Sequence, residues 1–428
     1  MNSNQMEKPL NCPEFSQNYR NEKINILDKE QSDEISNTNL YLFILVLIVT
    51  GSINTIINKV QLSFVSLNES FGGHQEFITF CMFLGELLCL LFEYIINRFF
   101  KTEKKSKSLI NNEEGKKEIK EPKIWYLLFP ASLDILGTTI STIGLTFLSS
   151  SIFQMFRGAL IIFVCIATII FIKTKYYRHH FLGIFVVVLG LVIVGLSAVL
   201  KNQSSSGKKP FLGIILVLLS QIFTCFQLII EEKILKEYDI SELKAVGLEG
   251  LWGVILYIFL LFIFYFINCK NWPENFREGM CVKNDKGIIK FEDTLFAFRQ
   301  IGAKTIILSY LLIFIFSIAF FNFSGLVVAK YVSSTLRSII DTMRTIIIWV
   351  FFLINPYVPK ETKETFSWLQ LLGFIILVLG GLIYNEILVI PFCKFAENTK
   401  EARKKRELLE KKVLELDKGI MNDNNSQI

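Results

Sequence analysis

Long apolar runs alternate with short polar or basic punctuation along most of this chain. Runs of roughly 18 or more residues lie near 40–59, 77–97, 124–147, 151–172, 180–200, 211–230, 245–268, 305–329, 332–354 and 367–390. A bilayer core takes about 20 helical residues per crossing, so each run predicts one membrane-spanning helix and the expected count is ten. The turns after the third and eighth runs are very short, which predicts antiparallel neighbours there. Residues 1–39 are polar, and the first apolar run is too long for a signal-peptide core, so the first helix is expected to serve as its own insertion signal.

Composition sharpens this picture. Of the 428 residues, 52% are apolar, 40 are Phe and only 20% are charged, and mean hydropathy is +0.45. Too little polar side chain remains to cover a water-soluble surface, which excludes a soluble enzyme with a single anchor. With the N-terminus inside, inner segments hold 29 Lys and Arg and outer segments 12, seven of them in 270–304. The first two outer loops hold none, so both tails are expected in the cytosol. Two N-glycan acceptor triplets, at Asn68 and Asn202, fall in loops that this count places outside.

The eight cysteines divide by setting. Cys81, Cys89, Cys165 and Cys225 lie in apolar runs and read as small buried hydrophobes. Cys269 and Cys281 bracket a loop and are able to pair if it faces an oxidising lumen. With no CxxC and only three His, no metal or cofactor is expected. His74, His179 and His180 sit at predicted membrane edges and receive no chemistry.

An internal repeat is visible. Leu182-Gly183 and Leu189-Gly190 recur 190 residues later as Leu372-Gly373 and Leu379-Gly380. The fourth and ninth runs match more loosely, each placing serines before a deep Arg, Arg157 or Arg344, and an aliphatic stretch. Five spans per half is an odd number, so the halves, 40–200 and 211–390, are expected to be inverted. The fold class that follows is all-α and transmembrane, ten helices in two inverted five-helix repeats flanked by polar tails 1–39 and 391–428. Transporters are built this way, with substrate near the midplane.

Ionisable groups inside a bilayer cost several kcal/mol each, roughly, and so mark function or networks. Arg337, Asp341 and Arg344 fall at i, i+4 and i+7 on one helical stripe, with Gln154 and Arg157 at i, i+3 on another. The Arg surplus suits an anion, so Gln154, Arg157, Asn322, Arg337, Asp341 and Arg344 are candidate substrate contacts. A second reading has Asp341 merely locking helices together, with Glu86 or Asp134 answering Arg157 across the bundle. Glu231 and Glu232 read first as a solvated helix end and second as a gate. Glu249, flanked by Gly247, Gly250 and Gly253, reads as a packing position, while Asn54 either lines a cavity or bonds between helices. The basic C-terminal run from Lys400 to Lys418 reads as a helix on anionic lipid or a plain charged tail.

Several stretches are distinctive: Thr50 to Thr55, Phe83-Leu84-Gly85-Glu86, Phe153-Gln154-Met155, Glu231-Glu232-Lys233, Ala245 to Gly250 and Phe320-Phe321-Asn322-Phe323. Together with Arg337, Asp341, Arg344 and Thr345 they resemble subfamily F of solute carrier family 35, in its member-six-like branch, across roughly 40–390. That family belongs to the drug/metabolite transporter superfamily and is related to nucleotide-sugar transporters and chloroquine-resistance-type transporters. The resemblance implies the ten-helix inverted repeat and transport across an endomembrane, most of all a lysosome-like one. The extended 98–123 loop and the longer N-terminal tail depart from the pattern.

The leading expectation is therefore a secondary carrier, not an enzyme, that moves a small anionic, nucleotide-sugar-like or metabolite-like solute by alternating access. The alternative is a membrane scaffold that keeps the carrier fold and works through its tails. The expected partners are the solute and the lipid bilayer, with no nucleic acid; a homodimer and a membrane-protein partner stay open.

Overall fold

The computed structural model describes residues 37–61, 64–100, 122–172, 176–202, 210–238, 240–273, 277, 280–355, 366–390, 396–399, 402–406 and 408–409. The chain divides into two compact units, Met1–Leu42 and Phe43–Ile428; of the first, only residues 37–42, the start of a helix, are described. Most of the C-terminal run lies outside the described residues, as does the end of the Asn202 triplet.

The apolar runs become helices α1 (Asn37–Gln61), α2 (Gln75–Phe100), α3 (Leu128–Phe147), α4 (Ser150–Arg157), α5 (Leu160–Ala167), α6 (Arg178–Asn202), α7 (Pro210–Glu237) and α8 (Glu242–Phe266). A short α9 (Thr294–Ala303) then precedes α10 (Thr305–Tyr331), α11 (Ser334–Ile354) and α12 (Trp368–Tyr384). The fourth run is thus not one rod, because 3₁₀-type bonds from Gly158 to Met155 and from Ala159 to Phe156 separate α4 from α5. Among the described residues, eight helical segments are long and apolar enough to cross a membrane. The two that fall short of the expected ten do so for different reasons. Helix α12 is apolar but spans 17 residues, and α11 carries Arg337, Asp341 and Arg344.

Glycines set the closest helix contacts, as small residues do in a bilayer, where backbones must approach for dispersion to act. On α6 and α12, a Cβ at Gly183 would stand 2.7 Å from the Tyr384 backbone, one at Gly190 2.9 Å from the Gly373 carbonyl, and one at Gly380 2.9 Å from the Gly183 carbonyl. Gly247, Gly250 and Gly253 of α8 likewise receive Leu90, Leu87 and Phe83 of α2, the packing role expected of that stripe. Gly144 of α3 and Gly213 of α7 face each other in the same way.

The connections between α1 and α2 and between α8 and α10 are not helical throughout, which departs from an all-α chain. Strands β1 (Val65–Ser66) and β2 (Glu69–Ser70) form a hairpin, as do β3 (Val282–Lys283) and β4 (Ile289–Lys290). Leu67 and Asn68 take φ of 54° and 63° at the tip of the first, the left-handed pair that a two-residue hairpin turn needs. Asn suits this region and Leu does not. Asn68 is exposed there.

Segment 267–304 grips this hairpin. Gln300 donates to the Ser66 carbonyl at 3.0 Å, Ser66 Oγ donates to the Gln300 carbonyl at 3.0 Å, and Lys283 pairs with Glu69 at 2.8 Å. Below it the fully buried His74 and Glu292 pair at 2.5 Å, and Glu292 also accepts from the Phe77 N–H at 3.2 Å. Cys269 and Cys281 form a disulfide, while Cys81, Cys89, Cys165 and Cys225 are free and buried. A Cys269→Ser, Cys281→Ser variant is expected to keep its helical content but to exchange amide hydrogens faster across 282–303, because the open chain regains conformational entropy. Unchanged exchange there would show that the docking bonds alone hold the segment.

Candidate functional site

A cavity of about 210 Å³ lies among α1, α2, α3, α4, α5, α7, α10 and α11. Asn54, Asp134, Gln154, Arg157, Asn322, Arg337, Asp341 and Arg344 all line it. The acidic residues Glu86, Glu231 and Glu249 stand one bond behind its wall. Asn322 Nδ2 donates to Glu86, Gln227 Nε2 to Glu249 at 3.1 Å, and Arg337 Nη1 to Glu231 at 2.9 Å, and all three donors line the cavity.

Local sequence explains how the arginines reach this position. Arg157 is the last residue of α4, where the helix breaks, so its side chain leaves a helix end rather than a continuous wall. Gly51 and Gly325 leave room for the other two: a Cβ at Gly51 would sit 3.0 Å from Arg344 Cδ, and one at Gly325 2.7 Å from Arg337 Nε. Arg344 also stacks over Phe321, at 4.7 Å from the ring centroid.

The charge pairing differs from the spacing-based expectation. Asp341 does not sit between Arg337 and Arg344. Its Oδ2 lies 3.7 Å from Arg344 Nη2 and 3.9 Å from Arg157 Nη2, while Arg337 is drawn away by Glu231 on α7. Arg157 is therefore answered by Asp341 and not by Glu86 or Asp134; Asp134 accepts from Thr138 at 3.0 Å instead. One carboxylate is shared by two guanidinium groups at separations too long for tight hydrogen bonds. The Arg157 side chain keeps 32% of its exposure.

Glu231 and Glu232 are buried rather than solvated. Glu232 accepts from the Ser334 N–H at 2.9 Å, at the start of α11, and pairs with Lys236. An acid at a helix N-terminus meets exposed N–H donors and the positive dipole end, which is why it leaves water there. Glu249 is likewise more than a packing position, since it accepts from Gln227. Gln154 donates to Thr55 at 3.3 Å, and neither amide atom of Asn54 has a partner among the described residues.

Other lining residues escaped a search for charges. Thr138, Ser141 and Thr142 on α3, and Gln221 and Thr224 on α7, line the cavity. Their i, i+3 and i+4 spacings form a polar stripe on each helix that a helical projection reveals. Glu292, His74 and Glu386 carried no such signal. His179 and His180 gather around Glu386, with candidate ligand atoms within 4.8 Å, a cluster the linear sequence hides. Arg403 Nη2 lies 3.9 Å from the same carboxylate oxygen, and the Tyr177 N–H donates to His180 Nδ1 at 3.4 Å. That places the proton of a neutral His180 on Nε2, toward Glu386.

Residues 40–384 match the family model described as CRT-like, chloroquine-resistance transporter-like. The chain is 36% identical over 351 residues to solute carrier family 35 member F6 of Rattus norvegicus, covering 80% of this chain and 87% of that one. The Homo sapiens protein of the same name is 34% identical over 350 residues, with the same coverage. An uncharacterized protein of Schizosaccharomyces pombe is 31% identical, over 82% of this chain and 98% of its own. A crystal structure at 9% identity superposes with a TM-score of 0.50 over 82% of this chain and 98% of the other, a likeness of fold alone. With this breadth of match and its apolar helices, the chain belongs to the chloroquine-resistance transporter-like family and is a multi-pass membrane protein of the transporter type.

Proposed function

We propose that this protein is a secondary carrier of an endomembrane, lysosome-like in character, that moves a small anionic organic solute by alternating access. Its ten crossings, with α4 and α5 counted as one, form two inverted five-helix repeats with both tails in the cytosol. The contacts between α6 and α12 support inversion: Gly183 meets Gly380 and Gly190 meets Gly373, although Gly183 corresponds to Gly373 and Gly190 to Gly380 by sequence. Such a reciprocal contact is what a pseudo-two-fold axis produces.

The observation that carries the reading is the meeting of Arg157 and Arg344, one from each half, on the single carboxylate of Asp341 at the wall of the cavity. The positive charge there exceeds the local negative charge, and Arg157 is reachable. A broken helix at the site also fits carriers, whose binding helices are often discontinuous. Toward the cytosolic ends, the Arg337–Glu231 pair and the bond from Ser334 to Glu232 tie α11 to α7 and act as a gate that separates when the cavity faces inward.

The test is counterflow in proteoliposomes against a panel of organic acids, nucleotide sugars and amino acids. The wild type is expected to exchange at least one panel member saturably, and the Arg157→Ala, Arg344→Ala double variant to lose about 100-fold or more of that flux, as when both charged contacts to an anion go. Wild-type flux in the double variant would reject the site.

A further inference from the structure

Asn54 brings to the cavity wall a polar group that the anion reading leaves unused. On α1 it belongs to a stripe with Gly51, Thr55 and Asn58, at i, i+3, i+4 and i+7. Its neighbours on that stripe fix where it points. Gly51 faces α11, since a Cβ there would stand 3.0 Å from Arg344 Cδ. Thr55 faces α4, where its Oγ1 accepts from Gln154 at 3.3 Å, and Gln154 lies one turn before Arg157. Asn54 therefore stands between the two helices whose arginines share Asp341, and Asn54, Gln154, Arg157, Asp341 and Arg344 all line the one cavity.

Asn54 is 6% exposed, and neither its Nδ2 nor its Oδ1 has a hydrogen-bond partner among the described residues. The hydroxyl groups nearby on α1 are satisfied, with Thr50, Ser52 and Thr55 each donating to the carbonyl four residues back. A bond between helices is the usual use of Asn in a bilayer, and among the described residues Asn54 makes none. A buried amide left unanswered is costly, and native proteins pair nearly all such groups. Asp341 Oδ1 and Arg344 Nε, on two other side chains that line this cavity, also lack a partner. Unanswered donors and acceptors around one cavity are what a bound polar molecule completes.

The amide also selects the kind of group. It offers both an acceptor and donors at its tip. A carboxylate or phosphate oxygen only accepts and would leave Oδ1 unanswered, whereas an ammonium group only donates and would leave Nδ2 so. A hydroxyl does both from a single atom, which matters where space is short. At about 210 Å³ the cavity falls below the roughly 300–1,000 Å³ of pockets that enclose drug-sized ligands. We infer that Asn54 is a specificity-determining residue that reads a hydroxyl group on the anionic solute, so that the carrier takes a small hydroxylated acid in preference to its deoxy counterpart. The inference rests on the anion reading and deepens it.

Thermal unfolding of the full-length protein in detergent, at fixed pH and ionic strength, tests this with matched acids. The pairs are lactate against propionate, malate against succinate, and glycerol 3-phosphate against propyl phosphate, the last separating a phosphate from a carboxylate as the anionic group. A ligand of the folded state raises the melting temperature, and its dose dependence gives the affinity. The wild type is expected to bind the hydroxylated member of at least one pair about tenfold or more tightly, because the deoxy acid leaves the amide unanswered. Asn54→Leu should erase that preference while the deoxy acid still binds. Asn54→Ala repeats the comparison without added bulk, so a folding failure of the leucine variant leaves the question decidable. Melting temperatures raised equally by both members of every pair, or by neither, would overturn the inference. So would a preference that survives in both variants, or an equal loss of both members in both variants, the mark of an amide that only holds helices in place. Failure of the anion reading shows separately, as acid binding that survives the Arg157→Ala, Arg344→Ala change.

Discussion

Arg337→Ala is expected to destabilise the protein by about 3–5 kcal/mol, the usual result of removing one partner of a buried ion pair. Both side chains of the Arg337–Glu231 pair are less than one-tenth exposed, and they meet at 2.9 Å. The slot that admits the guanidinium exists because residue 325 is glycine. Without Arg337, Glu231 would join Glu86, Asp134 and Glu249 with no cation paired to any of them. The penalty should therefore come from the stranded acid and not from lost contact area. A Glu231→Leu, Arg337→Met variant removes both charges and is expected to recover most of the loss, since well-packed apolar pairs often replace buried ion pairs at little cost. Unfolding of the wild type, both single variants and the double variant closes the cycle. Equal destabilisation in Arg337→Ala and the double variant would show that packing, not charge, holds α11 to α7.

Gly250→Leu is also expected to be strongly destabilising, for a steric reason. A Cβ at residue 250 would stand 2.4 Å from the Leu87 backbone nitrogen and 2.6 Å from Glu86 Cβ. Backbone cannot swing aside as a flexible side chain can, so α2 and α8 must separate along their length. Overpacking of a close core contact costs typically about 1–3 kcal/mol, sometimes more, and here the seam also positions Glu86 and Glu249. Loss of monodisperse protein on size exclusion and a depressed melting temperature are the expected results. Gly302→Ala in α9 is the control, because nothing lies within 4 Å of a Cβ there and alanine favours a helix. A Gly250→Leu protein as stable as Gly302→Ala would contradict the packing described for this seam.

Sequence periodicity disclosed the helices but not their partners. The apolar runs predicted where α1 to α3 and α6 to α8 lie, because burial in lipid demands long continuous apolarity and little else satisfies it. The seam formed by Gly247, Gly250 and Gly253 was visible as a small-residue spacing, whereas Gly183 and Gly190 were visible only as part of the repeat. The break at Gly158 was not, since a single glycine in an apolar run does not announce a 3₁₀ turn. Charged residues were easy to find and hard to pair. Helical spacing placed Asp341 between two arginines of its own helix, whereas Arg157 and Glu231 on other helices redistribute those contacts. Helix α9 and the docking of Glu292 under His74 depend on residues more than 200 positions apart, beyond the reach of any local pattern.

The grip of segment 267–304 on the β1–β2 hairpin has a mechanical consequence. Bonds through Gln300, Lys283 and Glu292 join the connection ahead of α10 to the connection between α1 and α2. In the carrier cycle proposed above, those three helices share one bracket at this end and travel as a single body. Relative sliding is left to the helices outside the bracket, with α4 and α11 among them, so a cross-link added within the bracket should leave turnover intact while one tying α4 to α1 should arrest it.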